Sequence, residues 1–458
     1  MSHQWARRRP PRAAAAGCAA LVLALLAPLA GCAPATSTPA RYPDVQRMLD
    51  NRARAVRQRD AAGFLAAVDP RATGYRDRQR AMFAHLAGVP LADWHYDLDA
   101  TGAFPLATGE DDTHLAAKVQ LRYRLEGYDT SPVHAVQYLT LTRHDGRWLI
   151  SSDTDGAAVG RSGTRQLWDQ GPVRLVRGRH SLVLGGAGHL ARLKDLAHRV
   201  DQAVPAVSAA WKGKWARKVV VEAPDSVERM AQLMGSDDAS GYAGIAAVTT
   251  GEAGVTAPAP ADRVIINPDA YEELNDLGRR VVLTHETTHV ATRTVTTVAT
   301  PLWLSEGFAD WVAYRGSHRR ATATAPELTR AVARGRVPDS LPSNQDFGFK
   351  AGADRLARAY EGSWLACRMI AGKWGEAKLI AFYRAAGKSA LRGSSGSAAA
   401  PMEAATAVAA ASRPGASGAG RRPARADRTD SALRSQLGID LAEFTRQWRA
   451  YVKAQLRR

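Results

Sequence analysis

The feature that most limits how this chain can fold is the segment Val281-Val282-Leu283-Thr284-His285-Glu286-Thr287-Thr288-His289-Val290. Two imidazoles four residues apart share a face on an α-helix, one turn above the other, where they can grip a single ion. Glu286 sits about 100° round the same turn and can face a water on that ion. A second segment, Pro301-Leu302-Trp303-Leu304-Ser305-Glu306-Gly307-Phe308-Ala309-Asp310-Trp311, supplies what the first lacks. Glu306 can complete a His₂Glu set and leave a fourth position open, as a catalytic Zn²⁺ requires. Asp310, four residues on and on the same helical face, can accept the second ring N–H of a ligating histidine and fix its tautomer. The chain holds only three cysteines, Cys18, Cys32 and Cys367. No cysteine-rich zinc module or disulfide framework can organise the fold, so a metal falls to histidine and carboxylate.

With these residues in view, H-E-x-x-H followed by W-L-x-E-G-x-A-x-W resembles the gluzincin zinc metallopeptidases, the superfamily of thermolysin and the M1 aminopeptidases. The resemblance implies that His285, His289 and Glu306 are the ligands, that Glu286 is the general base and acid, and that Asp310 supports a ligand from behind. The connection between the two motifs is a few residues shorter than in the best-known members, which implies a tighter loop. The stretch Ala359 to Ile370 (AYEGSWLACRMI) resembles the helix that follows the Glu ligand in related enzymes. On that likeness Tyr360 is the candidate donor to the oxyanion, with Tyr314 and His318 as alternatives. The G-x-M-E-N phrase by which M1 aminopeptidases hold a free amino terminus is absent, and endo- and exopeptidase both stay open. Ile245 to Thr249 can supply an edge strand for substrate pairing. Cys367, on an apolar helix face, reads as a buried small hydrophobe.

The amino terminus reads as an address. Arg7, Arg8, Arg9 and Arg12 precede an uncharged apolar run from Ala13 that closes on Leu29-Ala30-Gly31-Cys32. The run is interrupted by Pro28 and short for a span of about 20 residues. The closing tetrapeptide resembles the bacterial lipobox, which implies a signal peptide over 1–31, lipidation of Cys32 and a tether over 32–44. The expected location is the extracellular face of the cell membrane, held by the N-terminal lipid. Arg8-Arg9 followed by Pro10 and Pro11 leaves Sec and twin-arginine export both open.

The formal charge of +18 comes from 52 Arg and 10 Lys against 44 acids. The arginines are scattered, with no basic element carrying interleaved aromatics, so a nucleic-acid partner is not expected. Residues 1–31 take away four Arg and no acid, leaving +14 on the mature chain. Between tether and metal motif, 45–157 reads as a separate α+β module: a helix over 45–68, a second near 78–86, then alternating strands over 117–128, 135–142 and 147–150. This pattern, with the phrase Asp145-Gly146-Arg147-Trp148-Leu149-Ile150, resembles the nuclear-transport-factor-like or SnoaL-like cone fold. Residues 165–390 read as the peptidase domain, a sheet with helices on one face, the active-site helix, then a helical subdomain. Residues 391–432 form a low-complexity insertion too poor in large apolar residues to pack, and 433–458 a closing amphipathic helix. The expected function is a lipid-anchored, monomeric zinc metallopeptidase acting on a peptide or protein. The competing expectation is a non-catalytic docking lipoprotein with the same fold.

Overall fold

The computed structural model describes residues 41–107, 111–251, 259–348, 352–388 and 424–457. The expected signal peptide, Cys32, residues 33–40 of the tether and residues 391–423 of the expected insertion lie outside them. The fold is mixed α+β, with two sheets and many helices.

Helix α1 (Pro43–Gln58) begins on a proline at its first position, where the missing N–H costs nothing. It stops at Arg59, whose φ of 58° is left-handed, and Asp60 caps a short following turn through the N–H of Gly63. The single helix expected over 45–68 is thus broken. Helix α2 (Thr73–His85) leads into four antiparallel strands in sequential order: β1 (Leu91–Thr101), β2 (His114–Leu125), β3 (Val133–His144) and β4 (Arg147–Ser152). Asp145 (φ 50°) and Gly146 (φ 79°) close the β3–β4 hairpin with the paired left-handed residues that a two-residue turn demands. Trp94, Tyr96, Leu98, Tyr123 and Leu139 form one core with Val45, Leu49 and Val56 of α1.

The second sheet has the order β5-β6-β7-β9-β8. It comprises β5 (Val173–Arg177), β6 (Ser181–Gly186), β7 (Val219–Ala223), β8 (Ala247–Thr249) and β9 (Arg263–Ile266), with α3 (Leu190–Ala210) crossing between β6 and β7 and α4 (Val227–Leu233) following β7. Residues alternate between its faces. Val183, Val219, Val221, Val264 and Ile266 pack against Leu196 and Val200 of α3 and Leu283 of the next helix, α5 (Asp276–Thr292). Leu182, Leu184 and Val220 point the other way and join the core of the first module. The first module covers this second face together with α4, whose Met230 and Ala231 pack on Ile265, so helices lie on both faces rather than on the one expected. A buried bidentate ion pair fixes this junction, Asp129 receiving Arg263 Nη1 at 2.8 Å and Nη2 at 2.9 Å.

The rest of the chain is helical: α6 (Leu302–Tyr314), α7 (Pro326–Ala333), α8 (Ala353–Trp374), α9 (Glu376–Gly387), α10 (Ala424–Leu437) and α11 (Leu441–Leu456). Trp303 stacks on Phe382 and Phe444, and Trp448 of α11 donates to the Gly362 carbonyl at 3.0 Å, so the last helix packs on α8. One boundary differs from expectation: 424–432 belongs to helix α10, whose Ala432, Leu433 and Leu437 are buried. A short Leu-x-x-x-Leu stripe suffices to anchor it, although its surroundings are poor in large apolar residues. Among the described residues no helix is long and apolar enough to cross a membrane.

Candidate metal centre

Helix α5 starts at Asn275, whose side chain accepts the Gly278 N–H at 2.9 Å. Four threonines at i, i+4 spacing run along α5 and just past it. Thr284, Thr288, Thr292 and Thr296 each return the hydroxyl to the carbonyl one turn back, at 2.8 to 3.1 Å. This back-bonding lets polar residues occupy a buried helix face. The neighbouring face carries His285, Glu286 and His289. Across from it, α6 is buried almost throughout and presents Glu306 and Asp310 one turn apart.

The structure brings residues of the two motifs together. His289 Nε2 lies 3.0 Å from His285 Nε2 and 3.4 Å from Glu306 Oε2, which is 3.2 Å from His285 Nε2. A tetrahedral ion with bonds of about 2.0–2.1 Å sets neighbouring donors roughly 3.3 Å apart, so the triangle has the size zinc needs. Three lone-pair donors converging in a buried place, two of them imidazoles, make a chemically fitting zinc set. Behind it, His285 Nδ1 and Asp310 Oδ1 are 2.8 Å apart, fixing Nε2 as the atom offered forward.

Glu286 is buried and lines the same cavity, of about 660 Å³. Its Oε2 accepts the Thr249 hydroxyl at 2.6 Å. Burial raises its carboxyl above the ordinary range, while the adjacent histidines and Thr249 pull the other way. Tyr360, at the start of the third turn of α8, also lines the cavity, its ring centroid 6.3 Å from that of His285. Burial and the carboxylates of Glu306, Asp310 and Glu286 hold its phenol well above the ordinary range, so it is a proton donor at neutral pH. The two alternatives lie outside the cavity: Tyr314 packs edge-on against Trp364, and His318 is an exposed loop residue with φ 51°. Cys367 is fully buried, 4.0 Å from the Leu304 carbonyl, and burial pushes its thiol well up, as an inert core residue would be.

Three features were not foreseen. Thr249, the last residue of edge strand β8, holds Glu286. Arg293, one turn beyond His289, reaches the cavity beside the buried Asp262, at 3.7 Å. Tyr383 donates or accepts at Thr296 Oγ1, 2.7 Å away, tying the threonine row to α9. The i, i+4 step from His285 through His289 to Arg293 was visible in the sequence; pairings with Thr249 and Tyr383 depend on distant elements.

No family model and no curated protein matches the chain. Among solved structures it is similar to a mutant of a two-domain M1 zinc metallopeptidase bound to L-arginine, with 15% identity over 80% of this chain and 70% of that one, at a TM-score of 0.31. It is also similar to the M1 zinc metallopeptidase from Deinococcus radiodurans, with 16% identity over 80% and 70% at a TM-score of 0.32. A mutant of the Deinococcus radiodurans enzyme covers 75% of this chain and 91% of its own at 13% identity and a TM-score of 0.33. Likeness at this level is distant, and the chemistry of the site is carried by its own residues.

Proposed function

We propose that the chain is a zinc-dependent peptidase that cleaves peptide bonds by a water-mediated mechanism. The observation that carries this reading is the triangle of His285, His289 and Glu306 with the buried Glu286 beside it. Held by those three residues, zinc would polarise the scissile carbonyl and lower the pKa of water. Glu286 takes a proton from water at its free Oε1, while Thr249 pins Oε2, and delivers it to the leaving amine. Tyr360 O–H donates to the oxygen of the carbonyl as negative charge develops there. The edge strand β8, beside the cavity, can pair with an extended substrate backbone. The cavity wall is partly apolar, through Ile245, Val248, Phe347 and Leu356, which suits a peptide with apolar side chains. The lipobox-like ending at Cys32 supports a lipid-anchored enzyme on the outer face of the membrane, meeting its peptide or protein substrate there as a monomer.

The test is mass-spectrometric profiling of a peptide library before chelation, after chelation and after zinc is returned. Cleavage lost on chelation and restored by zinc supports the reading. Stoichiometric zinc with no cleavage of any peptide points instead to a docking protein.

A further inference from the structure

A second cavity, remote from the metal centre, lies inside the first module between α1, α2 and the concave side of the β1–β4 sheet, with a volume of about 80 Å³. Its inner wall holds Arg52, which is only 3% exposed. A buried guanidinium is costly unless a carboxylate compensates it. Among the described residues none lies within ion-pair distance of Arg52. Its partners are neutral: it donates to the Phe64 carbonyl at 3.1 Å and to Gln79 Oε1, and it stacks 3.7 Å over the Phe64 ring. The cavity is also lined by Tyr75, Tyr96 and Gln137, whose side-chain polar atoms make no hydrogen bond to the protein among the described residues. Burial holds the Tyr75 phenol above its ordinary range, keeping its O–H as a donor.

The remaining charges are accounted for. Asp153 on the wall is bound by Arg78 at 2.8 Å, and Asp169 accepts the Gln166 N–H at 2.8 Å. Arg165 stands at the exposed mouth with Thr154 and Thr164. On the wall two arginines face two aspartates, and Asp153 is already bound by Arg78 from outside the lining, so the buried Arg52 is the one without an acid. One ordered water needs roughly 10–15 Å³ of such space, so the cavity takes a few heavy atoms and no more.

We propose that this cavity is a binding site for a small monocarboxylate of acetate to propionate size, paired with Arg52 and hydrogen-bonded by the hydroxyls of Tyr75 and Tyr96. A planar monoanion matches both the single unpaired guanidinium and the two phenol donors. Phosphate, partly a dianion near neutral pH and tetrahedral rather than planar, would bring charge the cavity does not balance.

The test is calorimetric titration of the full chain with acetate, acetamide and inorganic phosphate, repeated on His289→Ala so that acetate captured at the metal centre is distinguished. The expected result is saturable acetate binding in both proteins, with acetamide and phosphate at least about 10-fold weaker. Removing a charge-assisted partner weakens binding by about 10- to 100-fold, which is expected of Arg52→Met. Tyr96→Phe, which keeps the ring and its packing, is expected to lose about 2- to 10-fold and decides the matter if Arg52→Met does not fold. Equal affinity for acetate and acetamide, tighter phosphate than acetate, binding lost in His289→Ala, or Tyr96→Phe binding as the parent does, would each overturn the proposal.

Discussion

In the proposed reaction Glu286 is buried beside two histidines and still accepts a proton, and among the described residues the hydroxyl of Thr249 is the group that orients it. Thr249→Val keeps the shape of strand β8 and removes that hydrogen bond. A hydrogen bond to a charged group contributes about 1.5–3 kcal/mol, so kcat/KM should fall about 10- to 100-fold while zinc content, measured by atomic absorption, stays at the parental level. Parental activity in this variant would mean that Glu286 is positioned by something else. Gly307, directly after Glu306, the proposed third ligand, has an equally local role. A Cβ there would run into the main-chain carbonyl of Ser363, because α6 and α8 touch backbone to backbone at this point. Gly307→Ala should therefore destabilise the protein by about 1–3 kcal/mol and lower zinc occupancy, read by thermal unfolding and metal analysis together. An unchanged melting temperature would contradict the close crossing.

At the scale of elements, helix α7 begins with N–H groups that no preceding turn can satisfy, and Glu361 of α8 accepts two of them, from Glu327 at 3.0 Å and from Leu328. Burial pushes this carboxyl up to about 7, against the opposing pull of Leu328 N–H, Arg330 and Arg358. An acid whose pKa is higher in the folded than in the unfolded chain adds stability below the unfolded value and loses it as pH rises through the folded one. Stability should thus decline from about pH 4.5 to about pH 7, by roughly 1–2 kcal/mol after allowance for the residue's partial exposure. Glu361→Gln should flatten that slope in denaturant titrations, and a slope that persists assigns it to other groups. The elements themselves were legible where one period dominated. The metal helix, its partner and α11 each carry an apolar or ligand-bearing stripe that only a helix can align. Strand β1 was not foreseen, although Trp94, Tyr96 and Leu98 alternate with Asp93, Asp97 and Asp99, since Gly88 and Pro90 before it and the acids within it weaken the strand signal. The break after Gln58 was hidden for a different reason: Arg59 takes a left-handed conformation that nothing local requires. Tyr360 was found through resemblance, and its place on the cavity wall depends on how α8 crosses α6.

At the scale of the whole molecule, two modules read separately from the sequence share one core and one buried ion pair. Asp129 receives both Arg263 and the Ala261 N–H, and Arg263 in turn pairs through its main chain with Thr250, next to Thr249. The first module thus grips the segment that carries the cavity wall. Breaking a buried pair by removing one partner costs about 3–5 kcal/mol. Asp129→Ala should lower stability by that amount in denaturant unfolding, and the first module produced alone should expose the apolar surface around Val173, Leu182 and Val220. If Asp129→Ala unfolds at the parental denaturant concentration, the two modules are not joined in this way. In the proposed reaction the buried carboxylate of Glu286, beside His285, His289 and Glu306, does the chemistry. This is tested most directly by comparing wild type and Glu286→Gln for zinc content and for cleavage of the same peptide library. One zinc per chain in both proteins, with cleavage reduced by at least about 100-fold in the variant, is the result predicted. Undiminished cleavage by Glu286→Gln, or a wild-type protein that holds no stoichiometric zinc, would contradict it.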